Sequence, residues 1–210
     1  MSGFERFNKI LNLFSEQRSS LTVAEISEEL KVPSSTIYRT VREMVSADFL
    51  ESAAGSYFRL GQAFIKFNRI INLSDPLIQA GEPFLKKLAS ENPIPSTNIL
   101  ARLFGDKVMC VADFKYPTFK NNTSYQKGRL MPLLYGATSR AIIMQVKGKR
   151  LSNILNLEGL NDDKQQKIFS NGLDKDKKKG FCKTEGQVDN GLIGFAISIN
   201  NKKLGIEASL

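Results

Sequence analysis

The stretch from Leu21 to Leu60, LTVAEISEELKVPSSTIYRTVREMVSADFLESAAGSYFRL, constrains the fold more than any other part of the chain. Thr22 followed three residues later by Glu25 has the pattern of a capping box, in which a hydroxyl and a carboxylate each satisfy a backbone N–H at a helix start. Val23, Ile26 and Leu30 then fall on one face at helical spacing. Lys31, Val32 and Pro33 make a turn. Ser34 or Ser35 is placed to cap a second helix, whose inward positions are Ile37, Val41, Met44 and Val45. The other face of that helix carries Ser35, Thr36, Tyr38, Arg39 and Arg42. Hydroxyls and guanidinium groups there suit phosphate oxygens and base edges, and arginine can clamp guanine from the major groove. Helix pairs with a merely solvated polar face are common, so the pair alone leaves both readings open.

The residues after it favour nucleic acid. Phe49, Leu50 and Glu51 pass through the small residues Ser52, Ala53, Ala54, Gly55 and Ser56 into Tyr57, Phe58, Arg59 and Leu60, two β-rich runs around a tip. Such a hairpin is a wing, with Ser56 and Arg59 placed to meet phosphate. Upstream, Phe4, Phe7, Ile10, Leu11 and Phe14 form the apolar stripe of a helix expected to pack beneath the other two. Residues 1–61 therefore read as a winged helix-turn-helix.

The chain has 210 residues, which leaves room for a second domain. It has no apolar run of transmembrane length and no secretory leader, so the expectation is a cytoplasmic protein with no membrane partner. It has no histidine, and Cys110 and Cys182 lack metal-ligand spacing; no zinc and no cofactor are expected. Of the net charge of +9, only +1 falls on Met1 to Leu73 and +8 on the remainder. The excess thus lies outside the DNA-reading module, and the block Lys175 to Lys179 reads as a solvated loop.

Residues 62–74 read as a linker helix with Phe64, Phe67, Ile70 and Ile71 on one stripe and Lys66 and Arg69 opposite. Such a stripe must be buried, and the matching helix of a second chain would give the paired reading heads that half-site recognition needs. Asp75 and Pro76 open another helix, with Leu77, Phe84, Leu85 and Leu88 inward. From Ser96 strands take over: Thr97 to Leu103, a Gly105-Asp106 turn, and Lys107 to Phe114 as antiparallel partner. Tyr116 to Arg129 reads as an exposed polar loop. Gly136 to Ser139 then begins an apolar helix through Ala141, Ile142, Ile143 and Val146. Its free N–H groups would suit a carboxylate or phosphate, although local sequence favours Thr138 or Ser139 as a simple cap. Gly180-Phe181 precedes a strand, Gly191 to Ile199 reads as one buried strand, and Leu204 to Leu210 closes the pattern. The fold class is α+β: a winged helix-turn-helix, a linker helix and an α/β domain with an antiparallel sheet over 75–210.

With these residues in place the chain resembles the IclR family of transcriptional regulators over nearly its whole length. The order LTVAEISEELKVPSSTIYRTVREMVSADFLE, followed by Tyr57, Phe58, Arg59, Leu60 and Gly61, is similar to that family's reading head. Thr97-Asn98-Ile99, Gly128 to Ala141, Gly180-Phe181 and Asp189 to Ile193 are similar to its second domain. The resemblance implies a GAF-like effector domain, a homodimer or dimer of dimers on double-stranded operator DNA, and a small organic acid or aromatic effector. By matching positions, Ala137, Thr138, Gly194 and Ser209 would line the effector site. The chain departs from the family's pattern at Leu134, Ser139, Arg140 and Gly194, and its end at Leu210 reads as a shortened last strand.

Two other classes compete. A small enzyme, with the N-terminal helices serving assembly only, finds no histidine base, nucleophile elbow, phosphate loop or dinucleotide fingerprint in the chain. A metabolite-binding module that touches no DNA would leave Arg39 and Arg42 dispensable. The residues assigned to DNA are Ser34, Ser35, Thr36, Tyr38, Arg39, Arg42, Ser56 and Arg59.

Overall fold

A computed structural model describes residues 2–121 and 123–210 and divides into two units, one ending at Ser74 and one beginning at Asp75. The first contains α1 (Gly3–Leu11), β1 (Ser20–Thr22), α2 (Val23–Leu30), α3 (Ser34–Ser46), β2 (Leu50–Ser52), β3 (Tyr57–Leu60) and α4 (Ala63–Ser74). The capping box forms: the Glu25 N–H donates to Thr22 Oγ1 at 3.2 Å while the Thr22 N–H donates to Glu25 Oε2 at 2.7 Å. Ile10, Leu21, Ile26, Ile37, Val41, Met44 and Leu50 make a fully buried core, with Val45, Phe7 and Leu11 packed around it. Burial of each such side chain contributes about 1.5–3 kcal/mol, so this core holds the three helices and the wing together.

Several expectations change here. Phe4 lies outside the core, 82% exposed, because α1 buries only one stripe and Ile10 takes its centre. Phe14 lies beyond the end of α1. Neither Ser34 nor Ser35 caps α3. Its N-cap is Pro33, whose carbonyl accepts from the N–H groups of Thr36 and Ile37, while Ser34 Oγ donates instead to Ser27 Oγ at 3.0 Å. The sheet has three strands in the order β1-β3-β2, because Ser20–Thr22 adds an antiparallel edge to the wing. Gly61 follows the wing where a Cβ would lie 2.2 Å from the Asp48 carbonyl oxygen, so only glycine lets the chain return against the turn after α3.

The second unit contains α5 (Pro76–Glu91), β4 (Thr97–Phe104), β5 (Lys107–Lys115), β6 (Leu130–Pro132), α6 (Ala137–Ile143), α7 (Gly148–Leu157), α8 (Asp163–Lys179), β7 (Cys182–Glu185), β8 (Ile193–Ala196), β9 (Ser198–Asn201) and β10 (Ile206–Ser209). A five-stranded antiparallel sheet runs β6-β5-β4-β10-β9, and β7 pairs with β8 separately. The sheet has apolar groups on both faces. Leu77 and Leu85 of α5 pack with Leu100, Ala112 and Ala208 on one, and α6, α7 and α8 pack with Ala101 and Val108 on the other. A register shift between Leu100 and Ala101 separates the residues that serve the two layers. This is the expected α+β class.

Corrections fall on segments whose local pattern was ambiguous. Phe84 is 60% exposed, since Ile78 and Ala89 occupy the inner face of α5 with Leu77 and Leu85. Gly191 to Ile199 is not one buried strand: β8 and β9 belong to different sheets, and Ile193 and Phe195 point outward. Lys175 to Lys179 is the last turn of α8 rather than a loop, with the cations at the helix end where the dipole favours them. Tyr116 to Arg129 is not simply an exposed loop, because Tyr125 is buried in the larger core.

Candidate nucleic-acid interface and effector cavity

The interface starts from helical spacing. With Ile37, Thr40, Val41 and Met44 turned inward, α3 presents Ser35, Tyr38, Arg39 and Arg42 along one exposed stripe at i, i+3, i+4 and i+7. Thr40 is buried under Arg6, whose Nε donates to its hydroxyl at 2.7 Å, which ties α1 to α3. Thr36 is half-buried at the start of the helix, and the exposed Ser34 is held to α2 through Ser27. In the wing, Gly55 and Ser56 adopt left-handed φ of 70° and 62°, and the Ala53 N–H closes the tip on the Tyr57 carbonyl at 2.8 Å. Arg59 is not free beside the tip: its Nε donates to Glu51 Oε1, directly opposite on β2. The exposed positions of α3 and the wing thus belong to one unit with a common core, while Arg59 is partly neutralised by its neighbour.

The second unit encloses a cavity of about 820 Å³. It is bounded by the end of α5, the start of β4, the loop before β6, the start of α6 and the β7–β8 hairpin. Gly136 turns into α6 with φ 83°, and a Cβ there would lie 2.8 Å from Val188 and 3.0 Å from the Tyr125 hydroxyl. Its N–H donates to Gln187 Oε1 at 3.2 Å. No side chain caps α6, so Thr138 and Ser139 do not have that role. Ser139 Oγ instead donates to the Pro132 carbonyl at 2.7 Å and lies 2.8 Å from the Tyr125 hydroxyl. Burial raises the Tyr125 phenol above its ordinary pKa, with the Ser139 contact opposing. Arg140 pairs with Asp176 of α8 at 2.6 Å and sits over the Phe169 ring, so Ser139 and Arg140 both hold the fold.

Asp189, between β7 and β8, clasps the loop before β6. Its carboxylate accepts from the Ser124 hydroxyl at 2.5 Å, the Ser124 N–H at 2.9 Å and the Thr123 hydroxyl at 3.1 Å. Burial acts to raise the Asp189 pKa, but these hydrogen bonds outweigh it and hold the carboxyl below its ordinary value. Of the residues assigned to an effector, Ala137, Thr138 and Gly194 line the cavity. Ser209 is not among the lining residues; it is fully buried in β10, between β4 and β9, with its hydroxyl unpartnered. Sequence reasoning missed Tyr125, Thr184, Gln187 and the clasp of Asp189, none of which stands in a periodic pattern. Both cysteines are free and buried, and burial pushes Cys110 up to about 12 and Cys182 up to about 11, so neither is a thiolate at neutral pH. Among the described residues no cluster of His, Cys, Asp or Glu is arranged to hold a metal, and no helix is long and apolar enough to cross a membrane.

The family model of the IclR helix-turn-helix domain matches residues 5–54, the span from α1 to the wing tip. The first unit is thus similar to an IclR helix-turn-helix domain. Over its full length the chain is 18% identical to the Pca regulon regulatory protein of Pseudomonas putida, covering 73% of that protein. It aligns with an IclR transcriptional regulator from Alicyclobacillus acidocaldarius at 20% identity and a TM-score of 0.80, over 99% of this chain and 85% of the other. An IclR homolog from Microbacterium hydrocarbonoxydans, solved in complex with 4-hydroxybenzoate, aligns at 19% identity and a TM-score of 0.77, over 99% and 87%. These structural likenesses establish the fold of both units.

Proposed function

We propose that this protein is an IclR-type transcriptional regulator that binds operator DNA in a sequence-specific manner as a homodimer or dimer of dimers, under control of a small effector in the second unit. Residues 1–61 form the reading head, 62–74 the linker and 75–210 the effector domain. The observation that carries the reading is the stripe Ser35, Tyr38, Arg39 and Arg42, exposed on a helix whose opposite face is locked into the core. Arg39 and Arg42 are the groups for base edges and phosphate, with Ser34, Ser35, Thr36, Ser56 and Arg59 as phosphate-side contacts. Along α4, Phe67, Ile70 and Ile71 are exposed at i, i+3 and i+4 in the single chain, an apolar stripe that a second copy would cover. Ala137, Thr138 and Gly194 in the cavity wall support effector binding, by an organic acid or an aromatic compound. An effector shifts the regulator only by its differential affinity for the DNA-competent and incompetent arrangements.

The test is fluorescence anisotropy of the purified protein with its own upstream DNA and with an unrelated duplex, across a salt series. A margin for its own DNA that persists as salt rises supports the reading; equal binding to both that vanishes with salt contradicts it.

A further inference from the structure

Strand alternation divides the β7–β8 hairpin into two faces. In its register Cys182 lies opposite Ala196, Lys183 opposite Phe195, Thr184 opposite Gly194 and Glu185 opposite Ile193. Cys182, Thr184 and Ala196 are buried, and a Cβ on Gly194 would lie 3.3 Å from the Ala137 Cβ, so this face is turned to α6. The other face carries Lys183, Glu185, Ile193 and Phe195, and Phe181 joins it with its ring 6.3 Å from that of Phe195. Phe195 is 63% and Ile193 53% exposed, whereas Ala137 and Thr184 in the cavity wall are 3% and 8%. The outer face therefore stands on the rim of the cavity, open to solvent rather than turned into the hollow.

Contiguous exposed rings and branched chains mark contact surfaces. The charges around this one say what it fits. Lys177, Lys178 and Lys179 close α8 just before Phe181, so one end of the face is basic. At the other end Glu185 stands exposed beside Ile193, and the hairpin tip beyond it carries Asp189. Neither Lys183 nor Glu185 is ion-paired among the described residues. A uniformly acidic or uniformly basic partner would be repelled at one end. A face that is basic at one end, acidic at the other and apolar between is complementary to itself when reversed, which is the requirement of a twofold contact.

We propose that the outer face of the β7–β8 hairpin docks on the same face of a second copy. The twofold axis runs between the two faces at the level of the Thr184–Gly194 pair. Lys183 then meets the partner's Glu185, and Phe195 packs on the partner's Ile193. The α4 stripe is a separate surface, so the two contacts together make a dimer of dimers; the inference rests on the proposed α4 contact for that count alone.

Analytical ultracentrifugation of the full chain over a concentration series tests it. The wild type is expected to sediment as a tetramer, and Phe195→Asp and Ile70→Asp, each at an exposed position, as dimers with an unchanged circular dichroism spectrum. Lys183→Glu and Glu185→Lys each set like charges against each other and should raise the dissociation constant of the hairpin contact at least about tenfold. The double variant Lys183→Glu/Glu185→Lys should restore it, a recovery that a purely structural role of either residue would not produce. Mass unchanged by Phe195→Asp and by both single charge variants overturns the hairpin contact; if Ile70→Asp then gives monomers, the α4 reading stands. A dimeric wild type that Phe195→Asp, but not Ile70→Asp, splits into monomers supports the hairpin contact and overturns the α4 reading. A monomeric wild type overturns both. Weakening by the single charge variants without recovery in the double overturns the twofold arrangement.

Discussion

The polar side chains of α3 project outward from a dry core, whereas those of the second unit face a hollow inside the fold. The outward stripe is displayed by a helix whose stability comes from Ile37, Val41 and Met44 on its far side. The proposed recognition and the stability are therefore divided between two faces of one element. In the cavity no such division exists, because Tyr125, Ser139 and Asp189 hold the walls together through the hydrogen bonds that shape the space. Substitution of a reading residue should cost binding alone, while substitution in the cup should cost structure as well.

The sharpest way to break this contrast is on the two faces of α3. Ile37→Ala is expected to lower stability by about 2–5 kcal/mol, the usual cost of removing a fully buried aliphatic side chain, measured by urea unfolding. Arg39→Ala should leave the unfolding midpoint unchanged and cost about 1–3 kcal/mol of specific DNA affinity, measured by anisotropy. If Arg39→Ala destabilised the fold, or left operator affinity intact, the division between the faces would be wrong.

In the second unit, Asp189→Ala removes the acceptor of three hydrogen bonds and is expected to cost about 1.5–3 kcal/mol, with faster amide exchange in residues 123–125. The same clasp has a pH signature. Because the folded pKa of Asp189 lies below its ordinary 3.8, its contribution is present above that value and is lost as pH falls through the folded pKa. The wild type should therefore lose more stability than Asp189→Ala on acidification below about pH 4. The smallest effect belongs to the wing. Glu51→Gln frees Arg59 from an exposed ion pair at a stability cost of at most about 1 kcal/mol, and should tighten DNA binding and steepen its salt dependence. Weaker DNA binding in that variant would mean that Glu51 positions Arg59 for its contact rather than competing for it.

How much was legible follows the same divide. In α3 the inward residues Ile37, Val41 and Met44 and the outward Ser35, Tyr38, Arg39 and Arg42 are separable by period alone, because one helix carries both sets. The β4–β5 hairpin was equally open to reading, since its Gly105-Asp106 turn lies between two runs of β-formers. Asp189 lies 65 residues from Ser124 and stands in no periodic pattern, so its clasp on Thr123 and Ser124 left no local trace. Gly191 to Ile199 misled for a related reason: a continuous apolar run does not say where a strand leaves one sheet for another, nor that Ile193 and Phe195 stay outside.

By itself the sequence determined the helix-turn-helix, its wing and which face of α3 is exposed, because capping, turn and periodicity act between residues within a few positions of one another. Only the tertiary structure decided that Arg59 is paired with Glu51, and that Ser209 is buried in β10 while Gly194 lines a cavity. Those properties arise where segments far apart in the chain meet, and the charge and space at such a place are set by all of them together.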